Sequence, residues 1–113
     1  MGEYNSQRLD GVFNALCDST RRAILARLSG GEARVTEIAA RFPISLNSVS
    51  KHIRMLERAG LVNRTISGRD HLLSLNAAPL AEADAWIEKY RLFWEGSLAA
   101  LDAYVTSRRK SRK

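Results

Sequence analysis

Asn47, Ser50, Lys51 and Arg54 are spaced i, i+3, i+4 and i+7, so on a helix they share one face. Their chemistry is hydrogen bonding and charge. An Asn amide bridges adenine, Lys and Arg reach guanine or phosphate, and Ser serves either. No acidic residue lies between Ile44 and Leu56. A carboxylate there would repel phosphate, whereas a face left to solvent usually carries Glu among its lysines. The pattern suits close approach to the major groove of double-stranded DNA. Arg64 and Arg69 offer a second contact, flanking or occupying a turn that Gly68 makes tight. An arginine on such a tip can enter a minor groove or grip phosphate.

Other chemistries are poorly supplied. The chain has one cysteine, Cys17, and two histidines, His52 and His71. One thiol makes no internal disulfide and no cysteine cluster, and zinc or soft metals need several clustered ligands. We therefore expect no metal and no cofactor. There is no phosphate-cradling glycine loop and no paired nucleophile and base, so the chain does not read as an enzyme. Cys17 is expected to be buried and structural. A redox role would need exposure and a lowered pKa, which Arg21 and Arg22 nearby could favour. His52 is expected to be a packed or hydrogen-bonded structural residue, and His71 to face solvent.

Charge is unevenly distributed along the chain. The net charge is +6 over 113 residues. Arg34, Arg41, Lys51, Arg54, Arg58, Arg64 and Arg69 outnumber Glu37, Glu57 and Asp70, making the middle basic. A second basic run closes the chain at Arg108, Arg109, Lys110, Arg112 and Lys113. A basic centre is the electrostatic footprint of a polyanion-binding protein. The length fits a single domain over residues 1–113. No apolar run reaches the roughly 20 residues of a membrane span, and no signal peptide is visible, so a cytoplasmic location and no membrane partner are expected. Residues 1–6 match a loose myristoylation pattern, which we read as chance.

Helical and strand-like periodicities supply the elements that position these residues. Residues 1–6 are expected to be loose. Leu9, Val12, Phe13 and Leu16 recur at helical spacing, and Asp18 caps a second helix over 19–28 that ends at Ser29-Gly30-Gly31. A third helix is predicted over about 36–42, stopped by Pro43. Ser45 caps a fourth, running to about Ala59, with Val49, Ile53 and Leu56 inward and Gly60 at its end. Two strand-like runs, 61–66 and 71–75, flank Ser67-Gly68-Arg69-Asp70. A long helix follows over about 79–105, and then the basic tail 106–113. The fold class is thus mainly α with a small β-hairpin wing, a winged helix-turn-helix.

The long helix carries more apolar surface than one stripe needs. Leu80, Ala83, Ile87, Tyr90, Trp94, Leu98, Leu101 and Val105 form one row, and Trp86, Phe93, Ala100 and Tyr104 widen it. Exposed aromatics of this density mark a protein interface. A homodimer is expected, with Leu9, Phe13, Trp86, Tyr90, Phe93, Trp94 and Leu101 at its interface and Val12 beside them. A ligand pocket lined by the aromatics is an alternative use of the same face.

The run from Ala15 to Leu25, ALCDSTRRAIL, resembles the opening of ArsR-type bacterial repressors, and so does VSKHIRMLERAGLV over 49–62. The resemblance covers roughly residues 9–105. It implies a homodimeric winged-helix repressor that leaves its operator when a signal arrives; nothing in the sequence identifies an inducer. It also implies that the outer face of the fourth helix reads DNA, which here means Asn47, Ser48, Ser50 and Lys51 and extends to Leu46 and Arg54. Metal-sensing members carry cysteines at the start of the third helix or His and acidic ligands on the last. Here the third helix reads Val35-Thr36-Glu37-Ile38-Ala39 and the last helix has no histidine. Phe42–Ser45 and 86–95 are more similar to a metal-independent branch, some members of which repress their own operons. The competing readings are a winged helix used only for protein contacts, and a repressor responsive to thiol oxidation or a small ligand.

Overall fold

The computed structural model describes residues 2–111, with side chains for residues 6–108. The elements are α1 Gly2–Leu16, α2 Ser19–Ser29, β1 Ala33–Arg34, α3 Val35–Ala39, α4 Leu46–Arg58, β2 Val62–Ser67, β3 Asp70–Leu75 and α5 Ala78–Ser111. They fall into two compact units, one to Ala83 and one from Asp84 onward.

The first unit has one core. Val12 and Ala15 from α1, Ile24, Leu25 and Leu28 from α2, Ile38 from α3, and Val49, Ile53 and Leu56 from α4 meet Leu61, Val62 and Leu73 of the ribbon. The inward row of α4 is completely buried. Local capping bounds the helices that build this core. The Asp18 carboxylate accepts the Arg21 N–H at 3.0 Å. That bond is the main reason its carboxyl sits below the ordinary carboxylate range, with the Arg21 charge adding to it. Ser45 accepts the Ser48 N–H at 3.1 Å and starts α4. At the other end Leu61 N–H reaches the Leu56 carbonyl and Gly60 N–H reaches Glu57, the double bond of a Schellman ending. Gly60 holds φ at 77°, which this ending needs and an L side chain resists.

The sheet has three antiparallel strands in the order β1-β3-β2. β2 and β3 pair from Val62↔Leu75 out to Ser67↔Asp70. The loop is therefore Gly68-Arg69, with Gly68 at φ 62° and no positive φ at Arg69, the pattern of a type II′ turn. Asn76 ties the sheet's inner end to the close of α4, its Nδ2 donating to the Gly60 carbonyl at 2.8 Å.

Several expectations change. Helix α1 begins at Gly2, so residues 2–6 are not loose coil. β1 has no counterpart among the expected elements; it pairs with β3 at Ala33↔Leu73 and Arg34↔Leu72. α3 ends at Ala39, before Pro43 can act, because tight turns at Arg41 and Phe42 already close it. Val12 lies in the core and is unavailable to an interface, while Leu9 and Phe13 are half-buried against that core. α5 runs on to Ser111 instead of ending near Val105. Met1, the side chains of residues 2–5, and the tail side chains from Arg109 lie outside the described residues.

In the second unit every described side chain of α5 is exposed. Trp86 and Tyr90 rings lie 4.3 Å apart, and Phe93 meets Trp94 edge-on at 6.1 Å. Arg91 bridges Glu88 and Glu95 along the opposite charged row, which lowers the Glu88 carboxyl pKa and raises that of Arg91. No helix among the described residues is long and apolar enough to cross a membrane.

Candidate nucleic-acid interface

α4 presents Asn47, Lys51 and Arg54 to solvent, with Ser50 and Ser48 half-buried beside them. Its 13 residues are preceded by a turn over Ala40–Ile44, and α3 packs against it through Ile38. Leu46 is exposed at its first turn. Among the described residues, Arg8, Arg34, Arg64 and Arg91 are engaged in ion pairs, whereas Lys51, Arg54 and Arg69 are not. Arg69 occupies the second position of the hairpin turn. It shares an open groove of about 270 Å³ with Leu46 and Ser50 of α4, with Arg34, Val35 and Thr36, and with Arg64, Asp70 and His71 of the ribbon; Asp70 is its one acidic residue and is paired with Arg34. The fold therefore brings the start of α4 and the wing tip to one concavity. Thr36 belongs to that lining and was not singled out from sequence, where it reads as an ordinary residue of a short helix.

Arg64 is not a tip residue. It pairs with Leu73 in the middle of the ribbon, and its guanidinium turns back to α4. Nη2 donates to Glu57 Oε1 at 2.7 Å, Nε to Oε2 at 3.3 Å, and Nη1 to His71 Nδ1 at 2.9 Å. His71 is thus half-buried and engaged instead of solvent-facing.

Arg21, named from sequence only as a residue that could favour a thiolate at Cys17, has a structural role. Only 8% exposed, it donates through Nε to the Ala15 carbonyl at 2.7 Å and through Nη2 to Asn14 at 3.0 Å. Nη1 reaches Met55 Sδ at 3.4 Å and His52 Nδ1 at 3.3 Å. The guanidinium can only donate, so His52 Nδ1 accepts. Asp18 lies 3.7 Å from the same nitrogen, too far for a hydrogen bond. His52 is therefore the packed, structural residue expected. Arg21 satisfies the carbonyls at the end of α1 and fastens α1 and α2 to α4. Helical periodicity gave no sign of this, because Arg is rarely buried. Cys17 is free and exposed, contrary to the expectation of a buried thiol. Among the described residues no group of three or more His, Cys, Asp and Glu side chains could hold a metal ion.

A tight helix pair followed by a two-stranded ribbon is the winged helix-turn-helix, a DNA-binding class. Residues 16–65 match the helix-turn-helix domain family. The chain is 33% identical over 107 residues to the HTH-type transcriptional regulator Rv2034 of Mycobacterium tuberculosis, covering 95% of each chain. It is 35% identical over 79 residues to the transcriptional repressor SdpR of Bacillus subtilis, covering 70% of this chain and 88% of that one. A crystal structure of an ArsR family transcriptional regulator, RHA00566, superposes with a TM-score of 0.76 at 39% identity, covering 80% of this chain and 93% of that one. The chain belongs to the ArsR-type winged helix-turn-helix regulators. It is a DNA-binding transcriptional regulator, in a family that is typically non-enzymatic.

Proposed function

We propose that the chain is a homodimeric repressor that reads an operator with α4 and the wing and does so without sensing metal. The observation that carries the DNA-reading part is the groove shared by Ser50, Leu46 and Arg69, beside the acid-free exposed row Asn47, Lys51 and Arg54. Asn47, Ser50 and Lys51, with Ser48 and Arg54 at their flanks, contact base edges and adjoining phosphates. Arg69 contacts the backbone or minor groove. Repression is supported by the name of the SdpR relative. The test is selection of duplexes from a random pool, then titration on selected and scrambled DNA across salt. A two-fold dimer presents two α4 helices about 34 Å apart, so the selected sites should be imperfect palindromes.

The dimer reading rests on α5. Trp86, Tyr90, Phe93, Trp94 and Leu101 are exposed, a density of large apolar side chains that water does not favour. Trp94 is 58% exposed, so Trp94→Arg removes no core packing from the protomer. In sedimentation the variant should dissociate at about 30-fold or more higher concentration than the parent, the size of an aromatic anchor worth about 2 kcal/mol or more. Operator affinity should fall with it. A parent that is monomeric at micromolar concentration would count against the dimer.

Metal independence rests on the residues of α3 and α5, which lack the cysteines and histidines that sensing members of the family use. Stoichiometric zinc, or removal of all divalent metal by chelator, should leave operator affinity unchanged. Release of DNA by submicromolar zinc would overturn this.

A further inference from the structure

We propose that Glu57, Arg64 and His71 form a clamp that sets the angle of the wing against α4, so that Arg64 and Glu57 are positioning residues for the wing-tip Arg69. The proposal rests on the DNA-reading function above and names what holds the second contact in place. Glu57 lies in the last turn of α4, Arg64 on β2 and His71 on β3. Arg64 grips Glu57 with two nitrogens and His71 with the third. A planar guanidinium held at three points has its plane fixed, and with it the twist of the ribbon that carries it. Because Arg64 can only donate, His71 Nδ1 must be the unprotonated nitrogen.

The location of the clamp gives it leverage. β1 supports β3 only at Leu72 and Leu73. Beyond the Thr65↔Leu72 pair the wing is a two-stranded ribbon, which holds its shape poorly by itself. Beyond Arg64, β2 runs only to Ser67, about 10 Å of strand, and Arg69 sits in the turn that follows. A wobble of about 10° at the clamp therefore moves the end of the ribbon by about 2 Å, more than the tolerance of a hydrogen bond. Arg64 and Glu57 side chains are 22% and 28% exposed, so water competes with the pair less than with a surface pair. The other ion pair of the wing, Arg34–Asp70, is longer at 3.7 Å, with both partners more than half exposed, and offers no comparable hold. The clamp also accounts for an acid in this basic stretch. Glu57 is the single acidic residue between Glu37 and Asp70, and its charge is consumed by Arg64 instead of facing phosphate.

Two measurements test the clamp. The first is a double-mutant cycle of Arg64→Lys and Arg69→Ala on the selected operator. Lys keeps the charge but loses the fork. Arg64→Lys alone should weaken binding about as much as Arg69→Ala, roughly tenfold, and the double variant should be within about twofold of Arg69→Ala alone. Additive losses would overturn the proposal, since a merely structural defect adds to the loss of Arg69. The second needs no DNA. In a Cys17→Ser background, spin labels at Ser67→Cys and Ala26→Cys report the distance from the wing to the body. The distribution should be narrow with Arg64 and clearly broader with Arg64→Lys. Equal widths would overturn the clamp. Broadening together with no sequence-specific binding by the parent would instead overturn the DNA-reading function and leave the clamp standing.

Discussion

Replacing Asn47, Ser50 and Lys51 together by alanine is expected to abolish preference for the operator while leaving the protein folded. The three positions lie on the outer side of α4, away from the buried row Val49, Ile53 and Leu56. Alanine is the best helix former, and the Ser45 cap and the Gly60 ending are untouched, so α4 persists. Removing one base contact costs about 1–3 kcal/mol, so removing two or three together reduces operator affinity by roughly a hundredfold or more. Affinity for scrambled duplex should fall far less, through the single charge of Lys51. Arg69→Ala provides the contrast. It should weaken operator and scrambled DNA alike and flatten the salt dependence by about one unit for each phosphate that is no longer neutralised. Salt titrations on both duplexes separate the two signatures. Unchanged operator affinity in the triple variant would remove α4 from its role as the reading helix.

Ile53→Ala should produce the largest loss of stability of any single change on α4. Its side chain has no solvent exposure and lies between Val49 and Leu56 on the face where α2, α3 and the sheet converge. Truncating a fully buried Ile costs about 2–5 kcal/mol, through forfeited transfer energy and the cavity left behind. Domains of this size are stable by only about 5–15 kcal/mol. The better helix propensity of Ala works against the loss, so the measured effect is a lower bound on the packing lost. Urea denaturation at fixed protein concentration should show a lower midpoint with an unchanged slope. Ile53→Val should cost about 0.5–1.5 kcal/mol. An alanine variant within about 1 kcal/mol of the parent would mean that the α4 core is not as packed as the geometry indicates.

The elements legible in the sequence are those governed by neighbours three or four residues away. Asp18 and Ser45 cap the helices they were expected to cap, because a side-chain oxygen needs only the next turn's N–H. Gly60 ends α4 for an equally local reason, and Gly68 marks the hairpin turn. The inward row of α4 follows from a 3.6-residue period. The outer row is the same period in its polar residues, which is why spacing alone is enough to name the candidate reading face.

What only the tertiary structure decided depends on partners far along the chain. β1 is two residues long and exists because Ala33 and Arg34 meet Leu73 and Leu72, almost forty residues away. No local propensity announces so short a strand. Arg21 has the sequence surroundings of a surface cation and is buried, because the end of α1 and the side of α4 surround it with acceptors. Arg64 and Arg69 are indistinguishable in sequence as wing arginines. The strand register turns one back to Glu57 and leaves the other at the tip. Cys17 was expected inside because free cysteines usually are, yet it falls in the exposed joint between α1 and α2. Local spacing determines which faces a helix has; which neighbour each face meets is set by the packing of the whole unit, and there the fate of a buried or paired charge is decided.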